Sequence, residues 1–115
     1  MRALIIVLAV FLTEASAREY QPLTGNYTIA GKTFYDPPSH EAKDTHIYFS
    51  LEGKAAGDLY DSMKVKAVRD QCAGDGSMSK RVGEMQCTLS EDGKSYRCWF
   101  GIDLKNQRVV NGVVC

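Results

Sequence analysis

The alternation of apolar and polar residues changes its period near the middle of the chain. Over residues 45–51 every second residue is apolar, so Ile47, Phe49 and Leu51 lie on one side of an extended chain. Over residues 53–63 the apolar positions instead recur every three or four residues, and polar residues fill the opposite side. This pattern predicts a strand followed at once by a short amphipathic helix of about three turns.

Shorter signals surround these two elements. Residues 25–35 alternate on either side of Gly31, which is typical of a short hairpin. Prolines and polar residues over 36–39 exclude regular strand pairing and predict a loop. Residues 65–68 return to alternation and predict one more strand, whereas the glycines and serines of residues 72–80 predict a second loop.

The last third of the chain predicts three consecutive antiparallel strands, over residues 84–90, 95–104 and 109–115. Asp92-Gly93 separates the first two strands, and this dipeptide is a strong signal for a two-residue hairpin turn. Together with the earlier elements, these strands predict an α+β fold. We expect an antiparallel sheet of about five or six strands, one short helix covering a face, and a C-terminal three-stranded meander.

The middle strand of this meander has two chemically different faces. The apolar face is predicted to be core and carries Tyr96, Cys98, Phe100, Ile102 and Leu104. The other face carries Arg97, Trp99, Gly101 and Asp103. Because tryptophan and arginine are enriched at binding hot spots, we predict Trp99, Arg97 and Asp103 as the binding surface. The alternative is that a second layer of structure covers Trp99.

The first seventeen residues predict export. Arg2 gives a positive start, residues 3–12 form an unbroken apolar run, and residues 15–17 (Ala-Ser-Ala) fit a signal-peptidase site. The run is too short for a membrane span, which takes roughly 17 to 25 apolar residues. We predict a signal peptide over residues 1–17, a single small domain over 18–115, and no stable membrane anchor after cleavage. The predicted localisation is periplasmic or secreted.

Four cysteines remain in that domain: Cys72, Cys87, Cys98 and Cys115. A domain of this size is only marginally stable through hydrophobic burial, so in an oxidising compartment the four residues predict two disulfides. A structural zinc is the alternative. It fits the spacing poorly, because zinc-binding cysteines come in close pairs and no two of these are close.

The strand registers restrict how the cysteines pair. The first predicted turn places Cys87 opposite Cys98, and a second turn at residues 106–107 places Cys98 opposite Cys115. Two connectivities survive: Cys72–Cys87 with Cys98–Cys115, or Cys87–Cys98 with Cys72–Cys115. We favour the first. Counted outward from the turns, Cys98 and Cys115 form a non-hydrogen-bonded pair, in which side chains approach more closely.

Charge and motifs argue against several classes of function. The predicted domain holds thirteen basic and thirteen acidic residues, interspersed, which gives no electrostatic footprint for nucleic acid. Ser77 and Lys80 match the Ser-x-x-Lys pattern of serine acylases, but that chemistry needs the start of a buried helix rather than a glycine-rich loop. Both histidines, His40 and His46, lie with two carboxylates in one segment, the single cluster with metal-ligand chemistry.

These observations predict a non-enzymatic domain with no cofactor and no metal, which binds a protein partner in the cell envelope or outside it. Inhibitors, immunity factors and envelope accessory proteins belong to this class. The alternative function is a small ligand- or metal-binding periplasmic module that uses the segment from His40 to His46. Metal-dependent melting of the domain, with and without the two histidines, discriminates between these functions.

Overall fold

A computed structural model describes residues 19–113 as seven strands and one helix. The predicted signal peptide and Cys115 lie outside the described residues. Within the described part of the chain, no helix is long and apolar enough to cross a membrane. The elements are β1 (Thr24–Ala30), β2 (His46–Glu52), α1 (Gly53–Ser62), β3 (Val68–Arg69), β4 (Met78–Val82), β5 (Met85–Leu89), β6 (Tyr96–Asp103) and β7 (Arg108–Val110).

All strand pairs are antiparallel, in the order β1-β2-β6-β5-β4-β3, with β7 also paired to β6. The α+β class is therefore confirmed, with seven described strands where five or six were expected. The last three strands are consecutive and antiparallel, as predicted, but they do not form a meander. β2 pairs along seven residues of one edge of β6, so β5 and β7 follow one another along the other edge.

β1 pairs with β2, which corrects the hairpin expected within residues 25–35. After Gly31 the chain leaves the sheet, because Thr33 donates from its backbone N–H and its hydroxyl to the Glu41 carboxylate, at 3.2 and 2.9 Å. Asp36 then turns the chain with a φ of 47°. β2 forms seven residue pairs with β1. A second strand within residues 25–35 would be too short to form as many.

Three smaller expectations have mixed outcomes. Residues 36–39 form no strand, as predicted. The strand expected over 65–68 is reduced to the two residues of β3. The loop expected over 72–80 ends at Met78, where β4 begins, because β5 supplies five backbone partners that the local sequence does not reveal.

Helix α1 follows β2 without a linker, as the change of period predicted. Gly53 makes the turn between them with a φ of 67°, a conformation that a side chain would strain. The helix lies against one face of the sheet, where Ala56 and Tyr60 are buried together with Leu51. This packing forms the hydrophobic core.

The hairpin of β5 and β6 has the predicted register, with Cys87 opposite Cys98. A disulfide joins these two residues at a Cα–Cα distance of 4.0 Å, so the connectivity favoured from the sequence is wrong. The reason lies in the turn, where the Ser90 N–H donates to the Ser95 carbonyl at 2.9 Å and closes a longer loop than the expected two-residue turn. Counted from that bond, Cys87 and Cys98 form a non-hydrogen-bonded pair, in which strands lie closest.

The turn between β6 and β7 is centred one residue earlier than expected, because Asp103 pairs with Arg108. Gln107 completes the turn with a φ of 55°. On its second edge Cys98 has Leu51 of β2 as its neighbour, which corrects the expected cysteine neighbour. One disulfide is seen in residues 19–113, and no cysteine in that range is a free thiol.

The two faces of the sheet differ in what covers them. The helix face holds Cys87 and Cys98, which are 0 and 1% exposed. The predicted core face of β6 lies on this side, although Leu104 is 51% exposed because it falls beyond the end of the strand. We call the opposite side the open face; Trp99 lies on it between its strand neighbours Ser50 and Gln86.

Candidate functional site: an aromatic cleft beside Trp99

One end of the open face is covered by the segment of residues 31–42. The Tyr48 hydroxyl donates to the Gly31 carbonyl at 3.1 Å, and the Phe34 ring packs edge-on against Tyr48 at 5.0 Å between centroids. Gly101 makes room for this arrangement, since a Cβ there would lie 2.7 Å from the Tyr48 ring. These contacts hold the segment against β2, where it stands above the open face as a raised wall at one end of the sheet.

Asp103 closes the same end of the open face and is 3% exposed. Its carboxylate accepts hydrogen bonds from the backbone N–H groups of Lys105 and Asn106 and, at 2.7 Å, from the Asn106 side chain. These bonds from Asn106 lower the pKa of Asp103, and the nearby His46 and Arg108 lower it further. Asp103 thus holds the β6–β7 turn, about 13 Å along the strand from Trp99.

Beside the raised wall the open face forms a cleft of about 350 Å³ whose lining contains no charged residue. Its aromatic side is made by Phe34, Tyr35 and Tyr48 together with Trp99. Tyr35 is 66% exposed, and its ring meets that of Phe34 edge-on at 5.1 Å. The cleft therefore offers apolar ring surface to solvent.

Three small polar residues form the other side of the cleft: Asn26, Thr28 and Ser50. Their positions follow from strand register, since β1 and β2 are neighbours and Asn26 lies opposite Ser50. Their side chains enter no hydrogen bond within residues 19–113, so their donors and acceptors are open to a ligand. An uncharged cleft of this kind fits a neutral group with both apolar and hydrogen-bonding parts.

Trp99 also lines a wider groove of about 950 Å³, which carries both signs of charge and extends to Lys54 and Asp58 of α1. Arg97 lines it and lies 3.8 Å from the Glu52 carboxylate, with both side chains largely exposed. Trp99 is the residue that lines both the cleft and the groove, and it is half-buried. Of the three predicted site residues, the structure thus brings together Arg97 and Trp99 and places Asp103 elsewhere.

Asp70 forms a polar network under the groove that the sequence did not reveal. Its carboxylate accepts from the Ser79 hydroxyl at 2.6 Å and from the backbone N–H groups of Cys72 and Ala73. The Ser79 bond is the largest cause that lowers the pKa of Asp70, and the two backbone bonds add to it. Asp70 is 7% exposed, so this network anchors the loop before β4 to the sheet.

The two histidines lie apart from any cluster of metal ligands. His46 is 8% exposed; its Nδ1 lies 2.8 Å from the Thr45 hydroxyl, and its Nε2 lies 3.6 Å from the Asp103 carboxylate. Its ring also stacks on Tyr48. His40 lies in the exposed part of the covering segment. Residues 19–113 contain no group of three His, Cys, Asp or Glu side chains placed to hold a metal ion.

Sequence reasoning singled out Trp99, which lines the cleft, and Arg97, which lines the groove, but missed the other residues of the cleft. The missing signal was the adjacent pair Phe34-Tyr35, which precedes Asp36 and two prolines, since aromatic residues in a loop either pack or bind. Comparisons with protein families, with curated proteins and with solved structures gave no match for this chain.

Proposed function

We propose that this chain is an exported, non-enzymatic domain that binds a protein partner through its open face, with Trp99 at the centre of the contact. Inhibitors, immunity factors and envelope accessory proteins are the functional types in this class. The apolar run and the Ala-Ser-Ala site of the first seventeen residues support export to the periplasm or beyond. The Cys87–Cys98 disulfide is compatible with that compartment.

The position of Trp99 is the observation that carries this proposal. Trp99 lines both an uncharged aromatic cleft and a charged groove, so a partner that binds over this residue meets both surfaces. Binding hot spots have this form: a large aromatic side chain in a desolvated centre, with polar contacts at the rim. Arg97 and Glu52 supply such a rim.

The lining also defines the chemistry of the partner. The cleft accepts an uncharged group, because burying an unpaired charge against aromatic rings is costly. The groove is lined by more acidic than basic residues, which favours a partner surface with a modest excess of basic groups around that uncharged group.

Capture of partners from an envelope extract of the encoding organism tests the proposal. We expect a protein that is retained by the oxidised wild-type domain and lost with Trp99→Ala. Leu104→Ala is the matched control, because Leu104 is 51% exposed and lines neither the cleft nor the groove. A captured set that is identical for all three proteins contradicts the proposal.

Fluorescence gives a second readout on the captured partner. Trp99 is the single tryptophan of the chain, so its emission reports on this site. We expect the purified partner to shift the emission, and Tyr35→Ala to weaken binding by about tenfold or more, the usual scale for an aromatic contact at an interface. An unchanged emission at saturation would place the contact elsewhere.

A further inference from the structure

The two outer edges of the sheet differ in how well they are protected. The β3 edge is two residues long and follows two lysines, Lys64 and Lys66. The β1 edge is seven residues long, is uncharged and contains no proline. Within the described residues no strand pairs with the outer side of β1. Soluble proteins usually protect edges with charge, proline or short strands, and β1 has none of these.

The side chains of β1 also leave apolar surface open to solvent. Tyr27 and Ile29 are 70 and 48% exposed, although both lie on the helix face beside partly buried residues of β2. Helix α1 covers the part of this face around Leu51 and does not extend over the row that contains Ile47. Both the backbone edge and the adjoining apolar row of β1 are therefore unpaired.

We propose that β1 pairs antiparallel with β1 of a second copy of this chain, about a two-fold axis that passes beside Tyr27. Tyr27 is the middle residue of the strand, so this axis places Tyr27 opposite its own copy. The two seven-residue strands then overlap completely and form about six to eight backbone hydrogen bonds. The two sheets join into one continuous sheet with both helices on the same side.

The sequence of β1 matches itself in this register. Asn26 faces Thr28 of the other copy, so two polar side chains meet on the open face. Ile29 faces Gly25, where the absence of a side chain leaves room for it; a Cβ at Gly25 would contact the Ser50 carbonyl oxygen. Paired tyrosines at the axis form an aromatic cross-strand pair, a stabilising combination in antiparallel sheets. No like charges meet, because β1 has no charge.

This self-match is the reason to assign the edge to a second copy. An added strand must be uncharged, must alternate with apolar residues on the helix face, and must itself have a free edge; β1 meets all three conditions. The dimer is bonded through the backbone edge of β1, although Asn26, Tyr27 and Thr28 of this strand also line the cleft. Trp99→Ala changes the cleft and leaves β1 intact, so loss of partner binding can be measured while the dimer is retained.

Sedimentation equilibrium of the purified protein over about a hundredfold range of concentration tests the dimer. We expect a monomer–dimer equilibrium that Tyr27→Lys weakens at least about tenfold, because the axis places two lysines directly opposite each other. Val68→Lys, the same change on the β3 edge at a residue 58% exposed, is the matched control and should leave the equilibrium unchanged. A protein that is monomeric throughout, or a dimer that Tyr27→Lys leaves intact, overturns the proposal.

Cross-linking tests the register. Tyr27→Cys should give a covalent dimer on oxidation, because the axis places the two thiols together. Ile29→Cys should not, since the two copies of residue 29 are offset by about 13 Å along the strands. Peptide mass mapping confirms that the Cys87–Cys98 bond is retained in both variants. Equal cross-linking by the two variants would overturn the register, and cross-linking by neither would overturn the pairing.

Discussion

The Lys80 ammonium group lies 4.3 Å from the centroid of the Tyr60 ring and donates hydrogen bonds to the carbonyls of Tyr60 and Met63, each at 3.2 Å. Helix α1 has no basic residue in its last turn, so a strand residue supplies the positive charge that favours a helix C-terminus. The contact fastens β4 to the end of the helix across the core.

Lys80→Met should therefore lower the free energy of unfolding by about 1–2 kcal/mol, from lost hydrogen bonds, cation–π contact and helix-end charge. Urea denaturation measures the change. Lys54→Met is the control, because the exposed Lys54–Asp58 pair at 2.7 Å should contribute no more than about 0.5 kcal/mol. Equal effects of the two substitutions would show that the charge at the helix end contributes little.

Removal of the Cys87–Cys98 bond should destabilise the domain by about 3 kcal/mol, the loop-closure estimate for a separation of 11 residues. The double variant Cys87→Ala/Cys98→Ala, measured by urea denaturation, gives this value. Because both residues are almost fully buried, the bond in wild-type protein should also resist reductant until denaturant is added. Rapid reduction of the native protein would contradict this burial.

Stability should fall in acid because of Asp70. Its pKa is lowered in the folded state, so it stabilises the fold above its unfolded pKa of 3.8, and that stabilisation is lost as the pH falls through the lower native value. Thermal melting from pH 7 down to pH 2 should show the loss. Ser79→Ala removes the hydrogen bond that lowers the pKa most, and it should make the melting temperature less dependent on pH in this range. If the melting temperature of Ser79→Ala depended on pH as strongly as that of the wild type, this explanation of the role of Asp70 would be wrong.

Leu51→Ala and Trp99→Ala should lower the free energy of unfolding by different amounts. Leu51 is 8% exposed within the core under α1, so Leu51→Ala should cost about 2–5 kcal/mol. Trp99 lies half-buried at the cleft, so we expect Trp99→Ala to cost less than half as much and to act mainly on partner binding. Equal losses of stability, measured by urea denaturation, would show that Trp99 is a core residue.

The parts of the fold that depend on nearby residues could be predicted from the sequence. The turn around Asp92 and Gly93 set the β5–β6 register correctly, and the change of period after β2 located α1. β1 and β7 were misplaced because they depend on competition for distant edges. β1 pairs with β2 and not with the residues that directly follow β1 in the chain. β2 also occupies the edge of β6 that β7 would need in a three-stranded meander.

The residues of the candidate site also fall into a group that nearby sequence places and a group that it does not. Alternation along β6 was enough to place Trp99 and Arg97 on the face opposite the core. It could not show that Asp103 turns its carboxylate into the next turn, because Asn106 makes that contact after the strand ends. Nor could it place Phe34 and Tyr35, whose loop is positioned by the bond from Tyr48 to Gly31.

The order of the strands has a consequence for how this chain is made. Each residue of β2 finds its partner on β6 between 45 and 57 residues later in the chain. A chain that emerges N-terminus first therefore holds β1 and β2 without their central neighbour until nearly all of the sheet has been synthesised. Such late closure slows folding, because the pairs between β2 and β6 are non-local and form only after a long loop has closed. The placement of the central strand thus makes completion of the sheet wait for the C-terminal third of the chain.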